Sequence, residues 1–211
     1  MALSAAERKI ADDLLAHNLD LFRMNASLRL KAYKTLKSLE AELVNKLSGQ
    51  DLTDYGKAAT DYLLQTSRAI IKDYHEKIAA EVNAALKEVS AMQEEVVRTA
   101  LADVGYGAAI APATHFATAL SDVMLQGAPS SEWWARQADD VAFKFANAVR
   151  LGIVKGETNA KIMKDVKALV DGTQANIAAL VQTSVQTVAN EARMQTFKQN
   201  ADIVDGVQQV S

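Results

Sequence analysis

The chain has 211 residues, 49% apolar and 23% charged, the ordinary balance of a folded protein long enough to bury a sizeable core. A formal charge of -3 excludes a strongly basic nucleic-acid binder, and the absence of cysteine excludes disulfides and thiolate metal sites. Glycine (9) and proline (2) are scarce, which predicts a nearly all-helical chain with few tight turns.

The N-terminus has no apolar signal core, and no run approaches the ~20 apolar residues of a membrane span, so a soluble protein made in the cytoplasm is expected. His17, His75 and His115 lie far apart and are expected to be structural rather than metal ligands. No cofactor is implied.

Ser4, with Glu7 three residues on, has the spacing of a capping box. An apolar seam follows at Ile10, Leu14, His17, Leu21, Met24 and Leu28 and resumes through Ala32, Leu36, Leu39, Leu43 and Leu47. Gly49 is suited to a left-handed cap at its end. Thr53 or Asp54 restarts a helix that runs to about residue 104, with Tyr62 or Leu63, Ile70, Tyr74, Ile78, Val82, Ala85, Val89, Met92 and Val96 on one face. From 78 to 96 this face keeps an alternating four-three rhythm. The two helices are predicted to fold back as an antiparallel hairpin with arms of roughly 60–75 Å at 1.5 Å per residue. Such a hairpin is too thin to hold a core alone. It must pack on the C-terminal half, a sister chain or a larger partner.

Arg23, Arg29, Lys31, Lys34 and Lys37 fall in a window without a carboxylate between Asp20 and Glu40. Two readings stand: contact with nucleic-acid phosphates or an acidic surface, or a solvated helix face whose charges are spread around the helix. Carboxylates of the second helix, among them Asp61, Asp73, Glu76 and Glu81, are available to neutralise part of it.

Gly105, Gly107 and Pro112 mark a hinge, followed by a short helix over about 113–125. A linker at 126–131 precedes a helix capped by Ser130 or Ser131, which opens on Trp133 and Trp134 and continues through Val141, Phe143, Phe145, Val149 and Ile153. The tryptophan pair is either a hot spot for a protein partner or a staple holding this helix to the hairpin. Gly156 ends the helix, and Thr158 begins a short one over 158–170 with Ile162, Met163, Val166 and Leu169 on one face. A further helix carries Asn190, Arg193 and Phe197 toward a turn at Asp205-Gly206 and a short strand over 204–210. No phosphate loop, nucleophile elbow or metal-ligand cluster appears, and no carboxylate stands in an apolar setting suited to acid–base work. A non-enzyme is expected.

The order of the C-terminal motifs is distinctive. Gly152 and Gly156-Glu-Thr158 close one helix, Ala189-Asn190-Glu-Ala-Arg193 followed by Phe197 lies on another, and Val204-Asp-Gly206-Val-Gln-Gln-Val-Ser211 ends the chain. Over roughly 131–211 this is similar to the tailed-phage head morphogenesis family, the Mu F-like minor head proteins. The family shows a "GxxxGxs" helix end, an "ARTEtxxAxNxaRxxxy" helix and a "vxGvxwvs" segment that opens a Cys/His region. The departures are Gln182-Thr183-Ser184 in place of Arg-Thr-Glu, and glutamine (Gln208 or Gln209) in place of an aromatic. The natural chain is expected to continue past Ser211 into that Cys/His region.

The resemblance implies a structural minor head protein inside the capsid near the portal vertex. It would bind portal protein or major capsid protein in several copies, with packaged double-stranded DNA a further partner and neither a membrane nor a small-molecule ligand. An internal DNA-binding or ejected virion protein is the alternative. Trp133, Trp134, Asn190, Arg193 and Phe197 are the candidate partner contacts, and Arg23, Arg29, Lys31, Lys34 and Lys37 the candidate contacts for DNA or an acidic surface. The expected fold is all-α: a long hairpin over 1–104, a hinge and short helix over 105–130, and a bundle of shorter helices over 131–211 with one short C-terminal strand.

Overall fold

The computed structural model describes residues 5–50, 52, 56–103, 124–125 and 127–201, with side chains from residue 8 onward. Its helices are α1 (Ala5–Ser48), α2 (Lys57–Leu101), α3 (Ser130–Val154) and α4 (Asn159–Gln199). Strands β1 (Met124–Leu125) and β2 (Ala128–Pro129) pair antiparallel around Gly127, whose φ of 85° suits a residue without a side chain. The all-α expectation holds.

The predicted hairpin forms, with Lys9 near the start of α1 paired to Asp103 just past the end of α2. Arg68–Asp139 (2.8 Å) and Arg150–Asp61 (3.8 Å) set α3 antiparallel to α2. Lys37–Asp171 (2.8 Å), together with the side-chain amide of Asn159 donating to the Gln50 carbonyl, sets α4 antiparallel to α1. The result is an up-down-up-down bundle in which α2 and α4 also touch, placing α1 and α3 at opposite corners. The hairpin therefore finds its core against the C-terminal helices. One buried cluster runs from Leu28 through Ile71 and Phe145 to Ala189, so the two halves share a single interior.

The periodicity of that interior differs from the four-three rhythm expected of α2. Its buried positions are Ser67, Ile71, His75, Ile78, Val82, Leu86, Val89, Gln93 and Val97, in steps of four, four and three. Leu28, Ala32, Leu36, Leu39, Leu43 and Leu47 of α1 follow the same steps. So do Ser130, Trp134, Ala138, Val141, Phe145, Val149 and Gly152 of α3, and α4 from Ile162 to Val188. A repeat of three turns in 11 residues is about 3.67 residues per turn, close to the natural helix, so neighbours stay in register without a left-handed supercoil. Ala85, Met92 and Val96, expected on the seam, lie half-buried beside it, and Leu86, Gln93 and Val97 take their places. Likewise Ile71 is buried ahead of Ile70 and Phe143 is exposed, while of the alternatives Tyr62 and Leu63 it is Leu63 that is buried.

Several element ends also differ. The expected short helix at 158–170 and the later helix bearing Asn190 are one continuous helix, α4. Gly172 is tolerated inside it at about 1 kcal/mol relative to alanine, because the seam passes from Val170 to Thr173 and Ile177 without a gap. Thr173 returns its hydroxyl to the Leu169 carbonyl, which satisfies it within the helix. Met124 and Leu125 are strand rather than helix end, and the rest of the expected 113–125 helix lies outside the described residues. α2 begins at Lys57 with Gly56 as its cap, and Gly49 does not adopt the left-handed conformation. Pro129, not a serine, precedes α3, in an extended conformation (φ -56°, ψ 146°) and with no side chain capping the helix. Ser4, the hinge at 105–112, His115 and the strand at 204–210 lie outside the described residues.

Candidate interaction surface

The tryptophans resolve first. Trp134 is 3% exposed and belongs to the core, facing α2 across a cavity of about 370 Å³ that Lys72, His75 and Asn83 help to line. It is the staple of α3 to the hairpin. Trp133 is half-buried, donates its indole N–H to the Leu125 carbonyl and carries the Arg136 guanidinium over its ring at 5.4 Å. That bond fixes the β1–β2 turn onto α3. Trp134 therefore offers no outer surface to a partner.

The candidates on α4 fall elsewhere. Asn190 is exposed, while Arg193 and Phe197 are half-buried. Asn190 and Arg193 line a depression of about 350 Å³ between α4 and α1, opposite Asn18, Phe22, Asn25 and Arg29. Directly below it, a second depression of about 460 Å³ is bounded by Ala26, Leu30 and Tyr33 on one side and Gln174, Ala175 and Ala178 on the other. Arg29 lines both, so they are one groove along the α1–α4 seam. The groove thus brings together Arg29, Asn190 and Arg193, which lie far apart in the chain.

Its chemistry follows from composition. Residues 172–190 of α4 contain no charged side chain, and residues 21–39 of α1 contain no carboxylate. The walls are alanine, amide and aromatic, with Arg29 and Arg193 as the cations. The Arg193 Nε and the Asn25 side-chain oxygen are buried there without hydrogen-bond partners.

Beside the groove, α1 presents apolar residues to solvent. Leu15 (61% exposed), Leu19 (49%), Phe22 (72%), Leu30 (55%) and Tyr33 (39%) recur with Ala26 in steps of four and three. The apolar seam expected from Ile10 to Leu47 does not include this second stripe. The offset series at 15, 19, 22, 26, 30 and 33 is the signal that reveals it. A contiguous exposed stripe of this size marks a contact surface more often than isolated apolar residues do. Phe143, Leu151 and Val154 form a smaller exposed edge on α3, at the opposite corner of the bundle.

The basic run does not form one patch. Arg23 pairs with Asp20 at 3.0 Å. Lys37 bridges Asp171 (2.8 Å) and Glu40 (2.7 Å), and the first of these bonds, then the second, raises its pKa above the ordinary lysine value. Arg29 turns into the groove. Lys31, two residues on and about 200° around the helix, points away from it. Lys31 and Lys34 are exposed and make no ion pair among the described residues.

His17 and His75 are fully buried, deeper than a helix-surface or partly buried setting. The His17 Nε2–H donates to the Gln93 side-chain oxygen at 2.7 Å, and the His75 Nδ1–H donates to the Ile71 carbonyl at 2.8 Å. Glu94 is an exception to the expectation that no carboxylate is desolvated. Burial pushes its pKa up, opposed by the Ser90 hydroxyl that donates to it at 3.3 Å. No cluster of His, Asp and Glu able to hold a metal ion occurs among the described residues, and no described helix is long and apolar enough to cross a membrane.

Fold and surface together define an antiparallel four-helix bundle with an exposed apolar stripe on α1 beside an α1–α4 groove whose lining holds no carboxylate. No family model, curated protein or solved structure matches the chain.

Proposed function

We propose that this chain is a structural minor head protein of a tailed phage, working by helix docking on the inner face of the portal or capsid and supporting head assembly, DNA packaging or DNA delivery. The observation that carries the reading is the α1–α4 face, where exposed Leu15, Leu19, Phe22, Leu30 and Tyr33 border a groove that also holds Asn190 and Arg193. Those two residues are part of the motif order that resembles the head morphogenesis family. Support also comes from the dimensions: α1 and α2 are about 66–68 Å long at 1.5 Å per residue, and α3 carries a second apolar edge at the far corner. A rod with contact faces on opposite corners suits a component that bridges larger partners. Mass spectrometry of purified particles tests this: the protein should be found in the virion in a fixed ratio to portal protein. Its presence only in the soluble fraction of infected cells would rule the role out.

An internal DNA-binding or ejected protein is the second reading, supported by Arg29, Lys31 and Lys34 in a segment without carboxylates. It requires retention on double-stranded DNA that falls steeply with salt and weakens in Lys31→Glu/Lys34→Glu. Binding that ignores salt would exclude it.

A further inference from the structure

We infer that the exposed stripe of α1 is the contact surface of an antiparallel homodimer, its occupant being α1 of a second copy of this chain. The first support is size matching about a two-fold axis at the level of Met24. Leu15 then lies opposite Tyr33 and Phe22, the most exposed of the set, opposite the small Ala26, with Leu19 and Leu30 one residue, about 1.5 Å, out of level. Large residues meet small ones at the centre, and the pairs farther out match in bulk.

Charge is the second, independent support. α1 is acidic at Asp12, Asp13 and Asp20 and then basic from Arg23 to Lys37. An antiparallel mate brings Asp12 within two residues of the level of Lys34. A parallel mate would lay the cations flanking the stripe, Arg23 and Lys34 among them, against their own copies, where like charges destabilise. Arg23 lies nearest the axis, and its bond to Asp20 offsets the repulsion between the two copies. Isologous pairing of one patch with itself is the commonest closed symmetry for soluble oligomers.

Area is the third support. Burying the five exposed side chains from both copies removes on the order of 1,000 Å² of surface, the size at which specific interfaces begin. The amide side chains of α4 beside the groove, Gln182 and Gln186 among them, add polar contacts at its rim.

The dimer takes the stripe and leaves the Asn190–Arg193 side of the groove and the exposed α3 edge for larger partners, and its test uses the purified chain alone. Sedimentation should give a species of twice 22.8 kDa, and Phe22→Asp/Leu30→Asp should return it to one chain with unchanged helicity and a melting temperature that no longer depends on protein concentration. Orientation is read by cross-linking of introduced cysteines, since these 211 residues contain none. Ala26→Cys should cross-link through a short bis-maleimide. Leu15→Cys alone should not, since an antiparallel mate places the two sites about 27 Å apart along the axis. Mixing Leu15→Cys with Tyr33→Cys should restore the product. A single-chain mass at high concentration, as expected if the stripe is reserved for a different protein, overturns the inference. So does a variant that stays dimeric, or efficient cross-linking of Leu15→Cys to itself.

Discussion

Gly152 lies directly against Ile162: a Cβ built on the glycine would sit 2.4 Å from the isoleucine Cγ1 and 2.6 Å from its Cδ1. The last turn of α3 therefore approaches the first turn of α4 more closely than any other residue would permit. Four residues on, Gly156 has φ 66°, with its N–H bonded to the Ile153 carbonyl and the Glu157 N–H to the Gly152 carbonyl. This is a Schellman close, and Thr158 then caps α4 by accepting from the Lys161 N–H. The two glycines of the motif do different work, one in packing and the other in backbone conformation.

Gly152→Ala should destabilise the protein by about 1–3 kcal/mol through overpacking, and Gly156→Ala by about 1–2 kcal/mol through left-handed strain. Urea unfolding of each variant measures this. Adding Ile162→Ala to Gly152→Ala should cost less than the two single changes added together, because it removes the clashing atoms.

The buried bond between His17 and Gln93 joins α1 to α2 where α1 carries its exposed stripe. Gln93→Leu leaves the His17 nitrogen buried and unpaired, at a cost of about 1–3 kcal/mol. The double variant His17→Leu/Gln93→Leu should be markedly more stable than Gln93→Leu alone. If the double change is the worse of the two by thermal melting, the pair is not the relevant contact.

Acid should weaken the fold through His75. Its Nδ1–H is committed to Ile71, its Nε2 is buried without a partner, and burial lowers its pKa below the ordinary histidine value. The unfolded chain thus binds the proton more readily than the folded one. This stability contribution is complete above the unfolded pKa of about 6.5 and declines as pH falls toward the lower folded value. His75→Leu should flatten the fall in melting temperature between pH 7.5 and 5.5 while leaving the slope from the carboxylates.

The tryptophans should separate cleanly in the same assay. Trp134→Ala opens the α2–α3 core and should cost about 3–5 kcal/mol. Trp133→Ala loses a half-buried ring and one bond to the Leu125 carbonyl, a smaller loss. Fluorescence of Trp133→Phe, which leaves Trp134 as the emitter, should be blue-shifted.

By itself the sequence determined the helical class, the two long helices, the turn at Gly156 and the inner seam of α1, because glycine and proline placement and apolar period act locally along the chain. Burial of Leu28, Ile78 and Phe145 could be read without knowing what they touch. The tertiary structure decided the rest. It chose the C-terminal half as the cover of the hairpin, ran α4 unbroken through Gly172, and replaced the four-three seam with a four-four-three one. It also turned Trp134 inward and parted Arg29 from Lys31. The exposed stripe of α1 was hidden for a physical reason. Its apolar residues have the same local pattern as core residues, and only the positions of the neighbouring helices determine which of two stripes on α1 is covered.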